Sequence, residues 1–235
     1  MSLPFFYVEK VPTETGALVE LDENATRHLV QVLRKRSGDS IIITDGGGTM
    51  LLAELAESQK KKSTVVVKGV EIIPESLPRI TIAISLLKNV SRFEWFLEKA
   101  TETGVYEIIP LLCERTEKIH LRPERSKNIL VSAMLQSQQY RLPRLGSPVN
   151  YREWLKTVQG DNLFIAHCVE GDKQKLGDIA RLEGNKLICI GPEGDFTPEE
   201  INAAAERGFT PVSLGNTRLR TETAGIAAVV LLRLL

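Results

Sequence analysis

Cysteine is scarce in this chain of 235 residues, and its few copies are scattered. Cys113, Cys168 and Cys189 each stand alone in an apolar run, with no C-x-x-C pair and no H-x-x-x-H spacing in the sequence. Neither a disulfide framework nor a zinc site is therefore indicated, and we expect no bound metal. The sequence predicts that these thiols are buried and act as small hydrophobic side chains.

Signals for secretion and for membrane insertion are missing as well. Residues 1–7 have neither the basic region nor the long apolar core of a signal peptide. An apolar stretch at the other end, residues 225–235, is too short to span a bilayer. We therefore expect a cytoplasmic protein with no membrane partner. Thirty basic residues balance thirty acidic ones, so the net charge gives no hint of a nucleic-acid partner.

Several catalytic signatures are absent. The sequence contains no G-x-S-x-G, no Walker A motif and no H-E-x-x-H, which leaves serine hydrolases, P-loop proteins and zinc proteases without support. A nicotinamide enzyme would need a glycine fingerprint after the first strand of its α/β region, and residues 88–91 do not supply one.

The first 73 residues are rich in strand patterns. Residues 40–44 and 50–55 flank a glycine-rich turn, which predicts a β-hairpin, and residues 64–70 predict another strand. One helix is expected at residues 24–35. It carries a basic cluster that either contacts a phosphate backbone or is ordinary solvated surface, namely Arg27, His28, Arg34 and Lys35.

Residues 73–78 contain two prolines and no periodicity, which predicts a linker. We expect one domain at residues 1–73 and a second at 79–235. In the second, strand patterns alternate with helix patterns, and the run 80–87 is almost continuously apolar. This alternation predicts an α/β fold whose parallel sheet has helices on both faces and ligands at the carboxyl ends of its strands.

Three helices of this second domain have informative sequences. Ser91 with Glu94, and Thr197 with Glu200, match the capping-box pattern at helix starts. The last helix, expected at residues 223–235, is apolar on all sides, which predicts a helix buried all round. Its partner is either the core of the domain or a second subunit, and the sequence does not choose between them.

The densest cluster of candidate site residues lies in two turns between strand and helix patterns. Residues 191–196 read Gly-Pro-Glu-Gly-Asp-Phe, and residues 214–224 read Leu-Gly-Asn-Thr-Arg-Leu-Arg-Thr-Glu-Thr-Ala. Glycine lets a ligand approach the backbone closely, and free N–H groups at a helix start can donate to it. The two turns therefore predict a site for a small polar ligand, and an arginine there can hold an anion.

Taken together, the motifs resemble those of the RsmE family, SPOUT-class methyltransferases that act on N3 of a uridine in small-subunit ribosomal RNA. The match runs through the chain in order, at Arg27-His28-Leu29, Val32-Leu33-Arg34, Gly38-Asp39, Arg92-Phe93-Glu94, Lys99-Ala100-Thr101-Glu102, Gly191-Pro192-Glu193-Gly194 and Leu219-Arg220-Thr221-Glu222-Thr223-Ala224. The resemblance implies a PUA-like β-barrel domain that binds RNA. It also implies a SPOUT domain with a trefoil knot, bound S-adenosylmethionine and a homodimer.

The resemblance also implies a set of site residues. The cofactor would lie among three loops, whose residues are His167, Cys168, Gly191, Pro192, Glu193, Gly194, Leu214, Gly215, Asn216, Leu219, Arg220, Thr221 and Ala224. Arg220 is the candidate for stabilising the anion of the uracil base, and Glu222 or Glu193 is the candidate for taking the N3 proton. The residues expected to contact the ribosomal RNA are Arg27, His28, Arg34, Lys35, Lys88 and Arg92.

The chain departs from the family pattern at three positions in or beside its motifs, and it lacks an arginine that the family has near the N-terminus. Asp195 stands where a second glycine is usual, which adds a carboxylate at the rim of the site. Gln139 and Thr217 stand at positions that are often arginine. We therefore expect cofactor binding to be retained, while the contacts with RNA can differ from the family pattern.

Two other functions remain open at this point. One is a SPOUT methyltransferase that acts on another RNA or another base atom. The other is a non-catalytic RNA-binding protein with a relic cofactor pocket, which the β-rich first half and its basic helix fit equally well. Cofactor titration separates the second alternative from an enzyme.

Overall fold

The chain divides into two structural units in this computed structural model, which describes residues 3–59, 61–117 and 120–234. Unit 1 contains the chain up to Glu75 together with Met134–Leu142, and unit 2 contains Ser76–Ala133 and the chain from Pro143 onwards. The predicted domain ranges, 1–73 and 79–235, stay predictions. They differ from the two units mainly by the segment Met134–Leu142.

Unit 1 is built on a five-stranded sheet with the strand order β1-β3-β4-β5-β2 among the described residues. Its strands are β1 (Phe5–Tyr7), β2 (Leu18–Leu21), β3 (Ser40–Thr44), β4 (Thr49–Ser58) and β5 (Ser63–Ile72). The β3–β4 hairpin and the strand after it confirm the sequence prediction. β1 and β2 lie at the two ends of the order, so closure of this sheet into a barrel stays a prediction.

The hairpin turn of unit 1 follows from its Asp-Gly sequence. The Asp45 carboxylate accepts hydrogen bonds from the backbone N–H groups of Gly47 at 2.7 Å and Thr49 at 3.1 Å. Gly46 and Gly48 have positive φ angles of 70° and 101°, which glycine adopts without steric cost. The alternating side chains of the strands on either side bury a core that includes Ile41, Ile43 and Leu51.

The segment Met134–Leu142 completes the turn region of unit 1. The Tyr140 carbonyl accepts hydrogen bonds from Gly48 N at 2.9 Å and from the Thr44 hydroxyl at 3.2 Å. The Arg141 guanidinium donates to the carbonyls of Gly47 at 2.6 Å and Ile73 at 2.7 Å. Backbone groups left unpaired by the hairpin turn are thus satisfied by residues from much later in the sequence.

The predicted helix of unit 1 is wrong in its extent. The α-helix α1 covers Glu23–Arg27, with the Asp22 carboxylate accepting from Ala25 N at 2.7 Å as its N-cap. A π-helical turn, His28–Val32, continues it, and Arg34 then has a φ of +54°. A left-handed residue cannot continue a right-handed helix, so the helix ends before the predicted limit at residue 35.

Unit 2 contains a parallel sheet, which confirms the predicted α/β fold. The order is β11-β13-β10-β12-β6-β7-β8, with β9 paired to β7. The strands are β6 (Ile80–Ser85), β7 (Glu107–Leu112), β8 (Arg144–Leu145), β9 (Val149–Asn150), β10 (Asn162–Ala166), β11 (Gln174–Lys175), β12 (Lys186–Ile190) and β13 (Thr210–Ser213). The helices are α2 (Val90–Glu102), α3 (Pro123–Gln136), α4 (Tyr151–Leu155), α5 (Leu176–Ile179), α6 (Pro198–Glu206) and α7 (Thr221–Leu234), and the end of α3 from Met134 onwards is assigned to unit 1.

The two capping-box predictions have opposite outcomes. At α6 the Thr197 hydroxyl accepts from Glu200 N, and the Glu200 carboxylate accepts from Thr197 N at 3.0 Å, as predicted. At α2 the N-cap is Asn89, whose side chain accepts from Ser91 N at 2.9 Å. The predicted box at Ser91 is wrong because Glu94 pairs with the Arg125 guanidinium instead, and this hydrogen bond lowers the pKa of Glu94.

α7 packs on α2 through a close contact at Gly225, where an added Cβ would lie 2.6 Å from the Phe96 ring. Of the two partners that the sequence left open for this helix, the core of its own domain does not bury it on every side. Ala228 and Val229 are buried, whereas Ile226 and Val230 on other sides of the helix are half-buried. None of the helices in the described ranges combines the length and apolar content that a membrane crossing requires.

Candidate active site

A cleft of about 540 Å³ opens at the carboxyl edge of the unit 2 sheet. The loops after β10, β12 and β13 form it, and these three strands are neighbours in the sheet. This is where a parallel α/β sheet is expected to bind ligands. All the predicted cofactor residues except Gly194 line the cleft, namely His167, Cys168, Gly191, Pro192, Glu193, Leu214, Gly215, Asn216, Leu219, Arg220, Thr221 and Ala224.

The loop after β12 is a tight turn in which Gly191 lies close to Phe196. Asp195 N donates to the Pro192 carbonyl at 2.9 Å and closes the turn. An added Cβ at Gly191 would lie 3.0 Å from the Phe196 ring and 3.1 Å from Phe196 N. Gly194 faces away from the cleft toward Arg115, whose guanidinium donates to the Gly194 carbonyl at 2.6 Å. A side chain at position 191 would therefore force a shift of this loop, which glycine avoids.

Asp195 lines the cleft, as expected from its place at the rim. Its φ of +66° belongs to the left-handed region, in which aspartate is one of the few tolerated residues besides glycine. Its carboxylate accepts from Phe196 N at 2.9 Å through Oδ1 and from Cys168 N at 2.7 Å through Oδ2. The second bond joins the loop after β12 to the loop after β10.

His167 is half-buried in the cleft wall, with both ring nitrogens buried and without a hydrogen-bond partner among the described residues. Buried polar atoms are nearly always paired, so a ligand is the expected partner. Burial lowers the pKa of His167, the Lys173 ammonium lowers it further, and the Asp195 carboxylate acts in the opposite direction. The imidazole is therefore neutral at pH 7.

Lys173 is a cleft residue that the sequence analysis missed. It lines the cleft, and its ammonium donates to the carbonyls of His167 at 3.1 Å and Val169 at 2.8 Å. No sequence motif includes Lys173. Only its position shortly after the predicted strand β10 could have indicated that it lies at the cleft. Cys168 in the same loop is exposed, so the prediction that all the cysteines are buried is wrong for this one.

The loop after β13 supplies the third wall. Gly215 has a φ of +137°, and its backbone N–H donates to the Ser213 hydroxyl at 3.3 Å. Arg220 is exposed and lines the cleft just before α7, where its carbonyl accepts from Ala224 N at 2.7 Å. Arg220 thus borders the cleft at the positive end of a helix, which suits the binding of a developing anion.

Of the three predicted catalytic residues, the structure brings Arg220 and Glu193 to the cleft and places Glu222 elsewhere. The Glu222 side chain is buried, with Oε1 at 3.7 Å from Arg92 Nε and Oε2 without a partner in the described part of the chain. Glu193 is exposed at the cleft, and its Oε1 accepts from Lys88 N at 3.2 Å.

The predicted RNA-contact residues fall into two groups. Lys88 and Arg92 flank the start of α2 in unit 2, where Lys88 Nζ pairs with Glu117 at 2.7 Å and Arg92 faces Glu222. The hydrogen bond from Lys88 to Glu117 raises the pKa of Lys88. The other group lies on unit 1 around the π-helical turn and is mostly exposed, namely Arg27, His28, Arg34 and Lys35.

The described residues contain no group of acidic, histidine or cysteine side chains arranged to hold a metal ion. The polar residues that line the cleft carry the His167 imidazole, hydroxyl and amide groups, cations, and the carboxylates of Glu193 and Asp195. Such a mixture suits an organic ligand with several hydrogen-bonding groups.

Family comparison agrees with this geometry. A family model described as an RNA methyltransferase domain matches residues 74–233, and one described as an RNA methyltransferase PUA domain matches residues 21–68. The chain therefore belongs to the RNA methyltransferase family that carries a PUA domain, which confirms the resemblance found from its motifs.

Individual relatives place it more narrowly. The chain is 32% identical over 219 residues to Ribosomal RNA small subunit methyltransferase E of Synechocystis sp., covering 91% of this chain and 72% of that protein. Ribosomal RNA small subunit methyltransferase E from Neisseria gonorrhoeae, solved with bound S-adenosyl methionine, is 33% identical with a TM-score of 0.86, over 97% of this chain and 96% of that one. A protein from Porphyromonas gingivalis described as a probable rRNA-methyltransferase is 35% identical with a TM-score of 0.89, over 99% of both chains.

Proposed function

We propose that this protein transfers a methyl group from S-adenosylmethionine to N3 of a uridine in the 16S RNA of the small ribosomal subunit. The observation that carries the proposal is the cleft, which gathers the predicted cofactor residues in a chain whose relatives are named for this RNA. Such a substrate implies a cytoplasmic enzyme.

The residues of the cleft fit this cofactor. Val212, Leu214 and Leu219 supply apolar surface for the adenine ring. The unpaired nitrogens of His167 can bond to a ribose hydroxyl or an adenine edge, and Gly191 and Gly215 let the backbone approach closely. The bound cofactor supplies an electrophilic methyl group on a sulfonium ion.

The protein's own part is to position the base and to manage one proton. Transfer forms the bond from N3 to the methyl carbon and breaks the bond from that carbon to sulfur, and the N3 proton must leave to a base. Arg220 holds the uracil anion by its charge, and preorganised charge of this kind is a large part of many rate enhancements. Glu193 is the better candidate for the base than Glu222, because Glu193 lines the cleft and Glu222 faces Arg92.

Unit 1 serves RNA binding in this proposal. Its exposed residues around the π-helical turn carry Arg27, His28 and Arg34, and phosphate contacts from such side chains supply affinity without reading sequence. Residues 21–68 match the PUA model, which supports the role. Lys88 has a weaker claim to an RNA contact, since Glu117 already pairs with its ammonium.

A trefoil knot and a homodimer complete the proposal. The knot rests on the family resemblance. The dimer is supported by α7, where Ile226, Ala227, Val230 and Leu231 are apolar and half-buried in the single chain. A second subunit that covers this face would complete their burial. Sedimentation equilibrium at micromolar concentration is expected to give twice the mass of 26.1 kDa.

The test of the activity uses small ribosomal subunits from a strain that lacks it. The purified protein is mixed with these subunits and with isotope-labelled S-adenosylmethionine, and digested RNA is mapped by mass spectrometry. We expect label on N3 of one uridine. Cofactor binding without transfer to this RNA would favour a SPOUT enzyme with another RNA target, and absence of cofactor binding would favour the relic-pocket alternative.

A further inference from the structure

Two neighbouring strands of unit 2, β10 and β12, are joined at both ends by an aspartate. The ladder between them runs from the pair Asn162 and Lys186 to the pair Ala166 and Ile190. Before the ladder, Asp161 Oδ2 accepts from Asn185 N at 3.0 Å. Beyond it, Asp195 Oδ2 accepts from Cys168 N at 2.7 Å. The bond at the amino end is remote from the cleft, and the bond at the carboxyl end lies in its wall.

The bond at the carboxyl end acts on one peptide group. The His167 carbonyl and the Cys168 N–H belong to the same planar unit. Lys173 Nζ donates to that carbonyl at 3.1 Å, and the Asp195 carboxylate accepts from that N–H at 2.7 Å. Both polar atoms of this peptide are therefore held by charged side chains, and bonds to charged groups are stronger than neutral ones. This fixes the plane of the peptide that follows the His167 α-carbon.

We infer that Asp195 is a positioning residue for the cofactor, which acts by clamping the His167–Cys168 peptide so that the imidazole of His167 stays in the cleft wall. The inference rests on the proposed function. It gives a structural role to Asp195, which stands where the family pattern has glycine.

The backbone of Asp195 explains why few residues could do this. A φ of +66° suits glycine, but glycine has no acceptor to offer Cys168. Aspartate tolerates this region, and its Oδ1 is held by Phe196 N at 2.9 Å, which orients Oδ2 toward the neighbouring loop. The side chain thus continues the pairing of the two strands beyond the point where their backbones separate.

The experiment compares Asp195→Gly with Asp161→Gly, because both remove a carboxylate that joins the same two strands. We measure the Kd for S-adenosylmethionine by calorimetry, and kcat together with the KM for S-adenosylmethionine in the methyl transfer. We also measure amide hydrogen exchange of Cys168 in the cofactor-free protein. Asp195→Gly is expected to raise Kd and KM about tenfold, as for loss of a bond to a charged group, and to leave kcat within about twofold. Asp161→Gly is expected to leave Kd unchanged.

The exchange measurement reads the clamp directly. Asp195→Gly is expected to speed exchange at Cys168, and Asp195→Asn, which keeps one acceptor oxygen, to raise Kd by less than the glycine variant. An unchanged Kd in Asp195→Gly overturns the inference. A raised Kd with unchanged exchange at Cys168 also overturns it, since Asp195 would then act by touching the cofactor. Failure of the wild-type protein to bind S-adenosylmethionine would refute the proposed function instead, and exchange at Cys168 would still decide whether the clamp exists.

Discussion

The two ends of the unit 2 sheet use polar residues in opposite ways. At the amino end, the Asn162 amide donates to the carbonyls of Glu183 at 2.7 Å and Asn185 at 3.2 Å, and Asn185 Oδ1 accepts from Arg79 N at 3.0 Å. At the carboxyl end, both nitrogens of His167 are buried without a partner in the described residues, and Asp195 has a left-handed backbone. At the amino end of these strands the polar side chains named here have hydrogen-bond partners, and at the carboxyl end the His167 nitrogens have none.

This difference separates stability from ligand binding within one sheet. At the amino end, the guanidinium groups of Arg79 and Arg144 lie over the ring of Tyr106, 4.8 Å and 5.1 Å from its centroid. Such contacts favour the folded state without leaving a group for a ligand. At the carboxyl end, the left-handed backbone of Asp195 and the unpaired nitrogens of His167 lie where a ligand is expected, and the rest of the fold offsets their cost. Substitutions at the amino end should therefore change the free energy of unfolding, and substitutions at the carboxyl end should change cofactor affinity or turnover.

The largest effect is expected from Arg220→Ala. Removal of a cation that stabilises the uracil anion should lower kcat about 10²- to 10³-fold, as loss of a preorganised donor does elsewhere. The Kd for S-adenosylmethionine should stay within about threefold, because the lost contact is with the base. Arg79→Ala, at the amino end, is the matched control and should keep full turnover. Normal turnover in Arg220→Ala would contradict the role given to this residue.

The next effect concerns the cofactor loop. In Gly191→Ala the new methyl group would lie 3.0 Å from the Phe196 ring and 3.1 Å from Phe196 N, so the loop must shift. We expect a loss of about 1–3 kcal/mol in the free energy of unfolding and a clear rise in the Kd for S-adenosylmethionine. Urea titration and calorimetry measure the two quantities. Gly69→Ala, which meets only Leu52 Cβ at 3.9 Å, is the control and should change neither.

A smaller effect is expected from pH. Burial lowers the pKa of His167, with Lys173 adding to it and Asp195 opposing it. An unfolded histidine has a pKa of about 6.5, so the unfolded state takes up the proton first and acid destabilises the folded state below that pH. A protonated His167 would also repel a sulfonium ion. The affinity for S-adenosylmethionine should stay constant down to about pH 6.5 and fall only at lower pH, where the folded protein protonates His167, because its pKa is lowered; His167→Gln should weaken this dependence.

The smallest effect on the site is expected from Asn162→Ala at the amino end. Two carbonyl acceptors lose their donor, so the free energy of unfolding should fall by about 1–2 kcal/mol in a urea titration. The Kd for S-adenosylmethionine should not change. A rise in that Kd matching the effect of Asp195→Gly would show that the two ends are coupled, and stability and ligand binding would then not be separable within this sheet.

The sequence predicted the carboxyl end of the sheet well, since its chemistry is local. Gly191 and Gly215 indicate tight turns through their own residue type. Thr197 and Glu200 form the N-terminal cap of α6 within one helical turn. Their neighbours in space are also neighbours in sequence. The positions of both cleft turns therefore followed from periodicity and turn residues alone.

The remaining features either depend on partners far away in the sequence or belong to segments too short to show a pattern. Glu94 matched a capping box until Arg125, 31 residues later, provided a stronger partner. Glu222 carries the same local motif as its neighbours, yet its carboxylate faces Arg92 from another helix. Lys173 has no motif, and the short strands β8, β9 and β11 have too few residues to show a period. Local patterns cannot contain this information.

The return of Met134–Leu142 to unit 1 sets a condition on how the chain folds as it is made. A ribosome that has released residues up to Glu75 has not yet released Tyr140 and Arg141, which satisfy Gly48, Gly47 and Ile73. At about 5–20 residues per second, the hairpin turn waits several seconds for these partners. The first unit to begin folding is therefore not finished until well over half of the chain has been synthesised.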